Sequence, residues 1–210
     1  MSSLRRTGPI LALAAVALLA GCGGGGKKAA TTEPTATAEA SQGSQQRVLL
    51  DSSKTYTVTL TTSEGAFSFD LDVKDSPNTT ASFAALVKEG FFDGLTFHRI
   101  VPGFVIQGGD PNGNGTGGPG YTTVDVPPSD AKYTKGVIAT AKGAAEAPGT
   151  SGSQFFVVTG DDIGLPPDYA LLGKVTSGLS VVEKIGKLGD PSTERPTKRV
   201  VIEKASLSVK

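Results

Sequence analysis

Short runs in which apolar and polar residues alternate are the feature of this chain that most restricts its fold. Alternation with a period of two is typical of β-strands that bury one face. One such run covers residues 56–60, and another covers residues 67–73 after a Ser63-Glu64-Gly65 turn. The two runs predict a β-hairpin at the start of the folded part of the chain.

Most other apolar segments are also short enough to be strands. The sequence predicts further strands at residues 96–101, 104–107, 136–141, 154–159, 169–176 and 199–209. Ser76-Pro77 predicts the start of a helix that ends at Gly90, and a second helix is predicted around residues 179–187. Eight short strands would expose many edges, and closure of the sheet removes them. We therefore expect an all-β domain, a closed eight-stranded antiparallel barrel with two flanking helices.

The first 21 residues have the composition of a leader that is removed from the mature protein. Arg5 and Arg6 precede an apolar run of 11 residues from Ile10 to Ala20. A helix that crosses a membrane needs about 20 apolar residues, so this run is typical of a secretory signal instead. The small residues before Cys22 resemble a bacterial lipobox, which implies cleavage after Gly21 and lipidation of Cys22.

Residues 22–51 are predicted to be a disordered linker that carries the lipid. This segment is rich in small and polar residues and has almost no large apolar residue before Val48. About 28 residues of flexible chain reach ~30 Å on average. Residues 52–210 then form one domain, which is large enough for a core without disulfides. We expect an extracytoplasmic monomer that is anchored to the bacterial cell membrane by its lipid alone.

Charge and metal-ligating residues exclude several classes of function. The chain has 20 basic and 20 acidic residues without a basic run, which argues against nucleic acid as a partner. His98 is the only histidine and Cys22 the only cysteine, so the sequence offers no zinc ligand set. The loop after Asp110 has Tyr121 where a calcium loop has its acidic twelfth residue. We expect no metal and no cofactor.

Residues 97–110 concentrate side chains that can bind a peptide. They place an arginine, an aromatic residue and an amide around a tight Pro-Gly turn. Strand alternation predicts that Phe97, Arg99 and Val101 share one face, while His98 lies on the other. The histidine and the arginine would then not share a cleft, and histidine-base chemistry would be excluded.

Two motifs resemble the signatures of the cyclophilin family of peptidyl-prolyl isomerases. The first is FHRIVPGF at residues 97–104, continued by QGGD at residues 107–110, and the second is GSQFF at residues 152–156. The resemblance extends over residues 54–210. It implies isomerase activity on proline-containing polypeptides, which the leader would place in the cell envelope.

The resemblance also implies roles for individual residues. Three match the family's catalytic positions, namely Arg99, Phe104 and Gln107. Six match positions that contact substrate, namely Val105, Ala141, Lys142, Phe156, Leu165 and Tyr169. Lys142 replaces the usual asparagine, and Gly164 stands where many members of the family have tryptophan.

Rotation about an X-Pro bond breaks no bond, so the reaction needs no nucleophile. It is helped by a donor near the prolyl nitrogen, whose lone pair becomes available as the amide twists. Arg99 is the predicted donor, and the apolar residues would hold the proline ring during the rotation. The leading hypothesis is an isomerase that assists the folding of exported proteins. A non-catalytic proline-peptide binding module or chaperone and a structural envelope lipoprotein remain as alternatives.

Overall fold

The computed structural model describes residues 48–210. The predicted leader at residues 1–21, the predicted lipidation site Cys22 and most of the predicted linker lie outside the described residues. Within residues 48–210, no helix combines the length and the apolar character needed to cross a membrane.

Ten strands and two helices follow one another in the described part of the chain. The strands are β1 (Tyr56–Thr62), β2 (Gly65–Leu71), β3 (Arg99–Val101), β4 (Val105–Gly108), β5 (Thr123–Val124), β6 (Val137–Thr140), β7 (Thr150–Ser151), β8 (Phe155–Val158), β9 (Leu171–Ser177) and β10 (Ile202–Val209). The helices are α1 (Pro77–Lys88), after β2, and α2 (Leu179–Gly186), after β9. The eight predicted strands and both predicted helices are present. The sequence missed β5 and β7, because strands of two residues are too short to show alternation.

Eight strands form one antiparallel sheet in the order β10-β1-β2-β9-β6-β8-β4-β3, and β5 pairs separately with β7. This confirms an all-β domain with two helices. The expected closure is not present as continuous strand pairing, because the ladder is open between β10 and β3. The N–H of Ile100 on β3 donates to the carbonyl of Glu194 in a loop (2.9 Å). The segments that precede β3 and β10 are joined by an isolated bridge between Thr96 and Val201 and by the backbone hydrogen bonds on either side of it, outside the named strands.

Strand register divides β6, β8, β4 and β3 into an inner and an outer face. Residues directly opposite each other on neighbouring strands share a face. One row is fully buried in the core and consists of Ile138, Val157, Ile106 and Ile100. The next row lies on the outer face and consists of Ala139, Phe156, Gln107 and Arg99. The outer row therefore brings residues from both sequence motifs side by side.

The inner face packs on α1 through aromatic rings. Phe83 of α1 meets Phe155 of β8 edge to face with ring centroids 5.5 Å apart, and it lies 4.5 Å from the ring of Phe92. Both separations are in the range where aromatic pairs add to the stability of a core. Phe155 is the core residue that alternation predicts, so its neighbour Phe156 is directed to the outer face.

A carboxylate from a distant loop caps helix α1. Ser76 occupies the predicted N-cap position, but its hydroxyl makes no capping hydrogen bond. Asp125 instead accepts from the N–H of Thr79 (2.6 Å) and from the side-chain amide of Asn78 (2.8 Å). This carboxylate satisfies a free N–H group at the positive end of the helix dipole. The loop that contains β5 is thereby fixed to α1.

Candidate active site

A second apolar cluster covers the outer face of β4, β6 and β8. Its buried members are Val105, Tyr133, Ala139, Phe156 and Val158. Partly buried residues packed against them include Phe104, Ala141, Leu165 and Tyr169. The cluster contains every apolar residue that was predicted to contact substrate. Partly buried apolar side chains surround the buried ones, an arrangement that suits contact with a small ring, and we call this surface the apolar pocket.

Three aromatic residues fix the floor of this apolar pocket. Phe156 and Tyr169 meet edge to face at 5.5 Å, and Tyr133 meets Tyr169 in the same way at 5.9 Å. The hydroxyl of Tyr133 donates to the carbonyl of Tyr169 (2.7 Å) and accepts from its N–H (3.0 Å). Burial raises the pKa of Tyr133, which keeps this hydroxyl protonated. Tyr133 therefore positions Tyr169.

A chain of guanidinium and amide groups borders the pocket. Nη1 of Arg99 donates to Oε1 of Gln107 at 3.4 Å, and Nε2 of Gln107 donates to Oε1 of Gln154 at 3.1 Å. Nε2 of Gln154 donates in turn to the carbonyls of Gly115 and Gly117. Each group orients the next, so the chain directs the guanidinium and the amides along the edge of the pocket.

Glu194 holds the guanidinium of Arg99 from its other side. Nε of Arg99 lies 2.7 Å from Oε2 of Glu194, in a charge-assisted hydrogen bond. A guanidinium has five N–H groups, so three are left without a partner among residues 48–210. Arg99 is therefore held in place while it keeps donors for a ligand.

The backbone at Glu194 has an unusual conformation. Its φ is 57°, and within residues 48–210 it is the only non-glycine residue with a positive φ. Asp190 closes this loop, because its carboxylate accepts the N–H groups of Ser192 and Thr193 and its carbonyl accepts that of Glu194. A left-handed conformation costs a non-glycine residue about 1–2 kcal/mol, so it persists only where the surroundings impose it. The loop thus fixes the Glu194 carboxylate beside Arg99.

The predicted separation of His98 from Arg99 is wrong. Strand β3 begins at Arg99, so alternation does not extend back to His98, and Phe97 is buried in the core. His98 and Arg99 consequently line the same cleft. Burial lowers the pKa of His98 although Asp110 opposes this shift, and neither ring nitrogen has a hydrogen-bond partner in the described part of the chain. The ring is therefore neutral at pH 7 and has no partner that would activate it as a base.

One buried carboxylate organises the glycine-rich loop after β4. Asp110 accepts hydrogen bonds from the N–H groups of Asn112, Asn114, Gly115 and Gly117. Burial alone would raise the pKa of Asp110, but these N–H groups together lower it. No group of three side chains that could hold a metal ion occurs in the described part of the chain. Asp110 therefore shapes the loop whose carbonyls, at Gly115 and Gly117, accept hydrogen bonds from Gln154.

Known proteins share both the motifs and the fold of this chain. The family model for the cyclophilin type peptidyl-prolyl cis-trans isomerases matches residues 57–207. This chain belongs to the cyclophilin-type peptidyl-prolyl isomerase family. The isomerase is 43% identical over 140 residues to a peptidyl-prolyl cis-trans isomerase of Helicobacter pylori, which covers 65% of this chain and 83% of that protein. It is 36% identical over 171 residues to peptidyl-prolyl cis-trans isomerase A of Mycobacterium tuberculosis, covering 73% and 93%.

Solved structures with the same fold include a cyclophilin type peptidyl-prolyl cis-trans isomerase of Cryptosporidium parvum. The TM-score is 0.67 at 28% identity, over 73% of this chain and 98% of that one. The same protein in the presence of the dipeptide Ala-Pro also gives a TM-score of 0.67. The protein is therefore an enzyme, a peptidyl-prolyl cis-trans isomerase that acts on proline-containing polypeptides.

Ala141 and Lys142 of the isomerase follow β6 at the rim of the pocket. The N–H of Ala141 donates to the carbonyl of Gln154 (2.9 Å). The ammonium group of Lys142 lies 5.6 Å from the centroid of the Tyr169 ring and donates to the carbonyl of Glu146 (3.1 Å). A cation at this distance from an aromatic ring is stabilised by it. The Lys142 side chain thus packs on the isomerase itself.

The pocket is open at Gly164, where many members of the family have tryptophan. Gly164 has a φ of 63°, and a Cβ at this position would meet no atom within 4 Å. Its N–H donates to the side chain of Asp162 (3.0 Å). A left-handed backbone favours glycine. The backbone conformation at Gly164 therefore disfavours a side chain here, although the space beside Leu165 is open.

Three residues of the site were not predicted from the sequence. Gln154 lies inside the second motif, directly before β8, so this motif could have identified it as a site residue. Tyr133 lies outside every predicted strand and belongs to no pattern. Glu194 is separated from Arg99 by 95 residues, and only the folded chain brings the two together.

Proposed function

We propose that Arg99 donates a hydrogen bond to the prolyl nitrogen of a peptide whose proline ring lies in the apolar pocket. The observation that carries this proposal is the Arg99 guanidinium, held between Glu194 and Gln107 in the same row as Phe156. Arg99 and Phe156 are two strands apart, which is about 10 Å between their Cα atoms. A side chain as long as arginine can span much of that distance.

The required acceleration is within the reach of such a donor and a rigid pocket. Unaided rotation about an X-Pro bond takes ~10–100 s. Reducing this time to milliseconds means four to five decades, or about 5.5–7 kcal/mol of the barrier. In the planar ground state the lone pair of the prolyl nitrogen is delocalised, so a hydrogen bond to this nitrogen favours the twisted transition state selectively.

The remaining residues of the site anchor one side of the twisting bond. Phe104, Phe156 and Leu165 hold the pyrrolidine ring by apolar contact, with Val105 in the floor beneath them. Gln107 donates to a carbonyl of the peptide through its amide. The part of the peptide on the other side of the bond then rotates while the ring stays fixed.

We further propose that the isomerase assists the folding of exported proteins from the outer side of the bacterial cell membrane. The support for this is the leader at residues 1–21 and Cys22 in its lipobox-like context. A lipid on Cys22 and a linker to residue 51 would give a monomeric domain access to chains that have just crossed the membrane.

The catalytic proposal is tested with a residue 48–210 domain or the full chain and a peptide whose X-Pro exchange is followed by NMR. The Arg99→Ala variant should lose about 100-fold in kcat/KM, as for the loss of one transition-state donor. Lys174→Ala, which removes an exposed cation of β9, should retain the activity of the parent protein. Equal activity of Arg99→Ala and the parent would contradict the role of Arg99. Peptide binding without accelerated exchange by the parent protein would support a capture module instead.

The anchor is tested separately in cells with the full chain. Cys22→Ala should move the protein from the membrane fraction to an unprocessed or released form. Membrane fractionation of a variant from which the leader has been removed would contradict lipidation at Cys22.

A further inference from the structure

A cleft of about 600 Å³ lies beyond the edge strand β3, next to the proposed catalytic arginine. We name it the arginine cleft. Its lining includes Thr96, His98, Arg99, Thr193, Arg195 and Arg199. The apolar pocket residues Phe104, Phe156, Leu165 and Tyr169 are not part of this lining. Arg99 and Gln107 line the cleft and also border the apolar pocket, so the two sites are continuous.

The arginine cleft carries positive charge that nearby acids do not balance. Arg195 and Arg199 are exposed, and neither forms an ion pair within residues 48–210. The carboxylate of Glu194 is engaged by Arg99. The carboxylates of Asp110 and Asp190 accept backbone N–H groups of their own loops. Two guanidinium groups therefore remain available to an anion.

This local charge differs in sign from that of the described domain. Residues 48–210 contain 15 lysines and arginines against 18 acidic residues. A concave site with one sign of charge attracts ligands of the opposite sign more strongly than a flat surface does.

We infer that the arginine cleft binds an acidic side chain of the same polypeptide whose proline occupies the apolar pocket. This inference rests on the proposed function, and it adds a substrate preference to it. The continuity of the two sites through Arg99 and Gln107 identifies the ligand as a part of the peptide substrate. Planar guanidinium groups match the geometry of a carboxylate.

The distance between the sites limits where the acidic residue lies in the peptide. Arg99 is about 10 Å from Phe156, and the residues of the loop around Arg195 lie one further strand spacing of about 5 Å away. An extended peptide advances about 3.3 Å per residue. The acidic residue is therefore three to five positions from the proline.

The test compares matched peptides that contain one X-Pro bond. Each peptide carries Glu, Gln or Lys at a single position three, four or five residues before or after the proline, with capped termini. At low salt the parent protein should process at least one Glu peptide with a kcat/KM about two- to fivefold above that of its Gln counterpart. The preference should shrink at high salt, because exposed charges are then screened.

Variants assign this preference to the cleft. The double variant Arg195→Gln, Arg199→Gln should lose the ratio between Glu and Gln peptides, while Lys174→Gln should keep it. Backbone amide signals of residues 193–195 and 197–199 should shift when the preferred Glu peptide is titrated into the parent protein. A parent protein that treats Glu and Gln peptides alike at every position overturns the inference, as does a preference that survives in the double variant.

Failure of this inference differs from failure of the proposed function. If only the inference is wrong, the parent protein isomerises Glu and Gln peptides equally fast, and Arg99→Ala lowers both rates about 100-fold. If the proposed function is wrong, Arg99→Ala leaves the exchange of the Gln peptides unchanged. Uncapped versions of the same peptides are a further control, and a preference that appears only with a free C-terminal carboxylate overturns the assignment to an acidic side chain.

Discussion

At the scale of single residues, the orientation of Arg99 depends on its partners. A free arginine side chain samples many rotamers, and holding it in one orientation costs conformational entropy. Glu194 and Gln107 fix two of its nitrogens before a peptide binds. Preorganisation of this kind lowers the barrier of a reaction without adding a contact to the substrate.

We expect Glu194→Gln to lower kcat about tenfold with a much smaller change in KM, because the guanidinium loses its charged partner and is less well oriented. Progress curves at several peptide concentrations separate the two constants. The Nε–H signal of Arg99 should also shift in the NMR spectrum. Glu203→Gln on β10 is the matched control and should change neither constant. An effect on KM alone would contradict the positioning role.

His98 gives the isomerase a pH dependence of stability with a definite sign. Burial lowers the pKa of His98 below its ordinary value of 6.5 in the folded protein. Below that ordinary value the unfolded chain binds the proton more readily, so the free energy of unfolding falls as the pH decreases. Above it both states are neutral, and His98 has no effect on the pH dependence.

Urea unfolding at pH 7.5 and pH 5.5 checks this sign. The parent protein should lose more stability between the two pH values than His98→Gln does, because the variant has no group that titrates there. Equal losses in the two proteins would show that His98 is not responsible. The carboxylates that titrate at lower pH are the same in both proteins, so the difference between the proteins isolates the histidine.

At the scale of elements, the eight strands of the large sheet were predictable because each one is a short run with its own apolar pattern. The registers that join Arg99, Gln107 and Phe156 in one row depend on which strands become neighbours. The order β8-β4-β3 follows from long-range packing, which a local pattern does not contain. The motifs therefore predicted the candidate residues, while the row that aligns them came from the structure.

The N-terminus of helix α1 also depends on a long-range contact that a local sequence pattern does not contain. The sequence predicted its start at Ser76-Pro77, but the carboxylate that caps it belongs to Asp125. We expect Asp125→Ala to lower the free energy of unfolding by about 1–2 kcal/mol, as the loss of an N-cap does. Urea denaturation measures this change, and Asp130→Ala, an exposed neighbour in sequence, is the control. Equal stability of the two variants would contradict the capping role.

At the scale of the whole molecule, the apolar half of the site was more predictable than its polar half. The segments that resemble the family contain Phe104, Phe156 and Leu165, so the resemblance alone was enough to predict these residues. The loop of Glu194 closes on β3 only after the strand order is established, so its contact with Arg99 had no local signal. The predicted closure of the sheet is present only in part, because β3 itself meets the loop at Glu194, while the segments before β3 and β10 are joined by backbone hydrogen bonds outside the named strands.

The most direct test of the account separates binding from catalysis at Arg99. NMR line shapes of one X-Pro peptide, titrated with the parent protein and with Arg99→Ala, give both the Kd and the exchange rate of the bound peptide. We predict that the exchange rate falls about 100-fold while the Kd changes by no more than about threefold, since the hydrogen bond forms chiefly in the twisted state. A weaker Kd with an unchanged exchange rate of the bound peptide would contradict the claim that Arg99 stabilises the transition state.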